Sequence, residues 1–143
     1  AADPVRAVEL YKKAAGLGFA ASQNNLGWAY YVGKGVTQSL PDAIYWIPRS
    51  AEQGEPFASG SLCEIQAATE FLRDNPAEAY KWCSLAVRDM PDGEAKDAAK
   101  AAVQKLQNSI TDEQRAFGEQ LVQTWEPLRQ TETVMKNVGD DLN

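Results

Sequence analysis

The sequence predicts an all-α protein built as an α-solenoid, in which antiparallel helix pairs stack side by side. Three observations carry that prediction. The chain repeats itself with a period of 36: without a gap, Gly18 falls on Gly54, Leu26 on Leu62, Asp42 on Glu78, Ala43 on Ala79 and Trp46 on Trp82. A fixed period of that length marks a row of supersecondary units, none of which can bury its apolar face alone. Helix starts recur with the same period: Asp3, Ser39, Asn75 and Thr111 stand 36 apart. All four are residues whose side chains accept from orphan backbone N–H groups at a helix start. Between these starts apolar residues recur three and four apart, as on one face of a helix, and do not alternate as in a strand.

Seven helices follow in order. The first, 4–16, begins with Pro4, whose missing N–H costs nothing at a first helical position. In register it is a B helix, the second of a pair, so its A helix is expected upstream. The second, 20–32, is an A helix with Leu26 and Tyr30 inward, and Gly33 and Gly35 allow the turn that follows. The third, 40–53, is a B helix with Ala43, Ile44, Ile47 and Ala51 inward. Pro48 lies inside it and removes the bond to the Ile44 carbonyl, a loss of about 3 kcal/mol that predicts a kink. The fourth, 57–72, is an A helix around Leu62 and Ile65, and the fifth, 76–89, a B helix around Ala79, Tyr80, Cys83, Ala86 and Val87. Asn75 with Glu78, and Thr111 with Gln114, have the spacing of a capping box. The sixth helix, 93–108, mixes alanines and charges, and the seventh, 112–125, sets Phe117, Leu121 and Trp125 four apart as an inward stripe. The units are an orphan B helix 4–16, a repeat 18–53, a degenerate repeat 54–89 and a capping pair 91–126, together one domain, 1–126. A polar tail, 127–143, follows, expected as coil or a short helix.

Composition narrows the function. Twenty acidic residues against fourteen basic ones leave a net charge of −6, which repels a phosphate backbone, so no nucleic-acid partner is expected. The chain has no histidine, the commonest general base and metal ligand. None of the motifs S-x-x-K, G-x-S-x-G, H-E-x-x-H or C-x-x-C occurs, nor any phosphate-binding glycine loop, so no catalytic residues, metal ligands or cofactor are expected. No run of apolar residues is long enough to span a bilayer. The chain starts Ala1-Ala2-Asp3 with no charged-then-apolar leader, the expected look of a processed or excised part of a longer chain that is exported or membrane-anchored.

The stretch Ala21-Ser22-Gln23-Asn24-Asn25-Leu26-Gly27, then Tyr30, then Gly33-Lys34-Gly35-Val36, then Ala43, Trp46, Ser50, Ala51 and Gly54, resembles the Sel1-like repeat, a relative of tetratricopeptide repeats. The likeness is weaker over 55–87, where Cys63 replaces the glycine of the L-G pair, Gln66 the tyrosine, and Thr69-Glu70-Phe71 the G-x-G loop. Leu106 to Pro127 is similar to the C-terminal cap of bacterial members. The resemblance implies a right-handed solenoid and a non-catalytic adaptor that holds a protein or peptide on the concave face of its A helices. It also implies a periplasmic or otherwise extracytoplasmic place in envelope signalling or assembly, with a cytoplasmic location as the alternative. Two further readings stay beside it: a neutraliser of a basic toxin or enzyme, and, more remotely, a cell-wall hydrolase using a carboxylate pair.

The candidate contact residues are Asn24, Trp28 and Tyr31, on a stripe distinct from Leu26 and Tyr30, because aromatic side chains beside an amide give large contact area at low entropic cost. The competing reading packs Trp28 against the neighbouring A helix. One period later Gly60, Glu64 and Ala67 are small enough to leave a groove. Gly27, Trp46 and Trp82 are assigned to the framework, and Asn25 to packing or a loop hydrogen bond. Cys63 and Cys83 fall at similar heights on antiparallel helices: a disulfide would suit an exported protein, and two buried thiols either compartment. The segment 128–143 is also a candidate to fold back over the binding face.

Overall fold

The structure, a computed structural model, describes residues 3–128. Among them are eight helices and no strand: α1 Pro4–Gly16, α2 Ala20–Val32, α3 Leu40–Glu52, α4 Pro56–Ala68, α5 Phe71–Asp74, α6 Pro76–Asp89, α7 Glu94–Ser109 and α8 Asp112–Thr124. The fold class is the all-α repeat class that the period predicts. The predicted fourth helix, however, is two. Thr69 Oγ1 accepts from the Phe71 N–H at 3.4 Å, and this local bond interrupts the helix and restarts it as the one-turn α5. None of the helices is long and apolar enough to cross a membrane, and among the described residues no acidic or sulfur cluster is placed to hold a metal ion.

The described residues form two compact units, 3–58 with 127–128, and 59–126. In the first, Asp3 accepts from the Val5 and Arg6 N–H groups at 3.0 and 3.3 Å and so starts α1. Ser39 accepts from the Asp42 N–H at 3.3 Å and donates to its carboxylate at 2.7 Å, starting α3. The 36-residue period reappears in the hydrogen bonds of two turns. Leu17, Gly18 and Phe19 donate to Ala14, Ala15 and Ala14, and Gln53, Gly54 and Glu55 donate to Ser50, Ala51 and Ser50. Gly18 and Gly54 reach φ of 95° and 90°, a region that a side chain would strain.

Val8, Ala15, Leu26 and Ala29 form the core of this unit, with Tyr11, Tyr30, Val36 and Trp46 packed against it. Helices α2 and α3 run antiparallel, since the Ser39 N–H bonds Tyr30 O at one end and Ser50 Oγ bonds Ala20 O at the other. Their closest approach is at Gly27, where an added Cβ would run into the Ile47 side chain. The inward arc of α3 is Ala43, Ile47, Ser50 and Ala51. Ile44, expected inward, is 49% exposed, because it lies about 100° round the helix from Ala43. Trp46 is half-buried, its ring nearly perpendicular to that of Tyr45 with the centroids 4.8 Å apart. No break accompanies Pro48, and α3 runs through it, with the Arg49 guanidinium bonded to the Tyr45 carbonyl and stacked 3.6 Å from the Tyr45 ring centroid. The Leu128 N–H donates to Glu52 O at 2.8 Å and so serves a carbonyl at the end of α3. The rest of the expected tail, 129–143, lies outside the described residues.

In the second unit Cys63 and Cys83 are joined by a disulfide, with Cα atoms 4.7 Å apart. They stand 36 residues after Gly27 and Ile47, so the crosslink occupies the helix crossing that glycine makes possible one period earlier. Tyr80 and Leu106 complete that cluster, with Leu72, Val103 and Ile110 packed around it. Met90 stands where the period expects the turn glycine of Gly18 and Gly54. It is extended (φ −75°, ψ 146°) and buried, and its sulfur fills the space over Gly60.

Trp82 is buried, as expected for a framework residue, with Trp125 edge-on at 6.1 Å and the Lys81 ammonium 4.2 Å from its centroid. Arg88 lies over Trp125 at 5.8 Å while bonded to Asp89, and that bond keeps its guanidinium above the ordinary pKa. The capping box at Thr111 and Gln114 is present, with bonds of 2.9 and 3.0 Å. The one expected at Asn75 is not: Asn75 also closes α5, and its amide turns back to Phe71 O at 3.4 Å. Phe117, expected inward, is 55% exposed. The buried position of α8 is Gly118, where a Cβ would sit 2.7 Å from the Tyr80 ring, so α8 rotates Phe117 outward to bring its glycine against α6.

Two stability outcomes follow. Gly27→Ala should cost about 1–3 kcal/mol through overpacking against Ile47, whereas Gly16→Ala, with nothing within 4 Å of its Cβ, should be neutral or mildly stabilising. Thermal melts by circular dichroism compare the two, and equal melting temperatures would contradict the close crossing. Breaking the Cys63–Cys83 link, which closes a loop of 20 residues, should cost about 3 kcal/mol. Urea midpoints with and without reductant measure this, after mass spectrometry of the thiol-blocked protein has established that neither cysteine is alkylated.

Candidate functional site

Helix α2 is held on two sides. Its buried arc, Gln23, Asn24, Leu26, Gly27 and Ala29, faces α1 and α3. The remaining side shows Ala21, Asn25 and Val32 exposed with Trp28 half-buried among them, while Tyr31, also half-buried, stands at the edge of the buried arc. Ala21, Asn25, Trp28 and Val32 are spaced four, three and four, so they line one stripe of the helix. Trp28 and Tyr31, a turn apart, set their ring centroids 5.3 Å from each other at an interplanar angle of 46°. Aromatic rings at that spacing steady one another and present a broad, partly dry surface.

The sequence placed the amide of this surface one residue early. Asn24 is buried and Asn25 is exposed, so the amide beside Trp28 on the open stripe is Asn25. The residue of α2 with a buried polar role is Gln23, which no sequence argument singled out. It has no exposed surface, donates to Ala15 O at 3.2 Å and accepts from Gln53 Nε2 at 2.8 Å, tying the last turn of α1 and the end of α3 to the first turn of α2. Its signal was present: Gln23, Leu26, Gly27 and Tyr30 have the three–four–seven spacing of an inward face.

The counterpart residues lie on α4. Glu64 and Ala67 are exposed there, but Gly60 is no open slot, since Met90 Sδ stands 2.9 Å from where its Cβ would be. Electrostatically the surface of α2 is blank. Its thirteen residues carry no charge, whereas α1 carries four charged side chains and α3 three. The arrangement offers no nucleophile and base in partnership. It offers contact area: an aromatic pair, an aliphatic side chain and an amide.

The Sel1 repeat family model matches residues 1–19, 20–55 and 71–88. The gap between the last two matches takes in Cys63, Gln66 and Met90's partner Gly60, the stretch where the repeat is most altered. Among solved structures, a protective antigen present in uropathogenic Escherichia coli strains, which displays an SLR fold, is 26% identical with a TM-score of 0.75. The likeness covers 94% of this chain and 28% of that one, so this chain spans just over a quarter of its length. No curated protein matches the chain in sequence.

Because Gln23 is bonded on both sides of its amide and fully buried, Gln23→Leu should lower stability by about 1–3 kcal/mol by removing two hydrogen bonds, although Ala15 O keeps the Gly18 N–H and Gln53 Nε2 keeps Arg49 O. Chemical denaturation reads this directly. An Asn25→Leu variant, changed at an exposed amide, serves as the control and should leave the midpoint where it was.

Proposed function

As the chain belongs to the Sel1-repeat family, whose repeats are generally protein–protein interaction modules, we propose that it takes a segment of another protein against the open stripe of α2. The observation that supports this most is the Trp28–Tyr31 pair. Two aromatic rings are held at 5.3 Å and left half-exposed on a helix whose other faces are committed to α1 and α3. Ring pairs of this kind make binding hot spots, because little side-chain entropy remains to be lost when a partner covers them. The repeat family is typically a non-catalytic scaffold, and our reading for this chain is an adaptor that works by contact alone.

We extend the reading to the bacterial envelope, outside the cytoplasm. A buried disulfide between Cys63 and Cys83 persists in oxidising compartments and is rare where thiols are kept reduced. A periplasmic domain of a membrane protein, or an envelope component, is the partner this would suit.

Trp28→Ala should weaken capture of the partner by about 2 kcal/mol or more, roughly 30-fold, while far-UV circular dichroism shows the helices intact. Capture that survives the substitution unchanged would remove α2 as the contact surface.

A further inference from the structure

The lack of charge on α2 says what kind of segment it accepts. In a chain with 24% charged residues, thirteen consecutive helical residues carry none, although Ala21, Asn25 and Val32 are exposed and Ser22, Trp28, Tyr30 and Tyr31 half-exposed. A helix face that only needed solvation would carry lysine or glutamate at such positions. The helices on either side do: α1 shows Arg6, Lys12 and Lys13 to solvent, and α3 shows Asp42. Charge in this unit is therefore kept to the flanking helices and to loop residues such as Lys34. The Arg49 guanidinium on α3 is occupied by the Tyr45 carbonyl and ring.

From this we infer that the α2 stripe recognises an uncharged protein segment, anchored by an aromatic or aliphatic side chain against Trp28 and Tyr31, with its polar backbone or amide groups meeting Asn25. The inference rests on the function proposed above and adds the chemistry of the partner. A charged segment would lose water at this face and find no opposite charge there, which costs affinity, whereas a neutral one loses nothing of that kind. Recognition through such a surface depends on buried apolar area and ring contact, so it is nearly independent of salt. The same logic separates it from a partner steered by the net charge of −6, whose binding would weaken steeply as salt is added.

The test uses a phage-displayed library of random peptides about 12 residues long, selected on the full chain and counter-selected on Trp28→Ala. Enriched peptides should be rich in aromatic and aliphatic residues and poor in charge. The affinity of a synthesised representative, followed by tryptophan fluorescence, should change less than about twofold between about 50 and 500 mM salt. Asn25→Asp, which places a charge on the exposed stripe without changing its shape, should weaken that peptide by about tenfold and leave the melting temperature alone. Peptides that need Trp28 but are charged and fall away with salt would overturn this inference and leave the proposed function standing. A library yielding no Trp28-dependent peptide would overturn both. A dimer of the free protein that Trp28→Ala dissociates would also overturn it, by giving the face to a second copy of the chain.

Discussion

Everything in the first unit depends on how closely the backbones of α2 and α3 approach at Gly27. With no side chain there, Ile47 presses onto the helix itself. The two helices then sit near enough for Ser50 to reach the Ala20 carbonyl at one end and for the Ser39 amide to reach Tyr30 at the other. One period later the same crossing is held covalently by Cys63 and Cys83. The two solutions differ physically. Glycine removes an obstacle and lets dispersion and burial bring the helices together, whereas the disulfide limits the unfolded chain and tolerates poorer packing around it. The crosslink stands in the repeat that has lost both the G-x-G turn and the glycine that Met90 replaces.

That crossing also shapes the surface. A helix clamped between two neighbours buries a wide arc, and α2 spends Gln23, Asn24, Leu26, Gly27 and Ala29 on it. What remains is a stripe one side chain wide, flanked by half-buried aromatics. Its backbone is fixed by the packing behind it, so a partner meets a surface with little freedom left to lose. Rigidity at the back and apolar contact at the front thus have one cause.

Most of the architecture was legible in the sequence because caps and turns are local chemistry. Asp3, Ser39 and Thr111 cap their helices through side-chain oxygens only two or three residues from the amides they bind, and Gly18 and Gly54 allow turns that few other residues could make. The errors have a different physical origin. Asn75 has the right spacing for a capping box, but the preceding turn of helix, started by Thr69, takes its amide. Ile44 and Phe117 fit an apolar period, but a period of three and four leaves the helix rotation open by about 100°, and the small residues Ala43 and Gly118 settle it by allowing the closer approach. The candidate site was legible in kind and misplaced in detail: Trp28 and Tyr31 lie together, while Asn24 and Asn25 exchange roles. Neighbouring asparagines look alike in sequence, and only the rotation of α2 about its own axis decides which is covered.

The bond from Leu128 to Glu52 has a consequence in time. Contacts in a repeat array are short in sequence, so α1, α2 and α3 can pair as soon as they leave the ribosome. The carbonyl at the end of α3, however, is served by a residue 76 positions later. At about 5–20 residues per second that partner arrives roughly 4–15 seconds after its acceptor, and only when nearly all of the described chain has been made. The first unit is therefore assembled early and closed late, because this hydrogen bond waits until the whole of the second unit's sequence has been made.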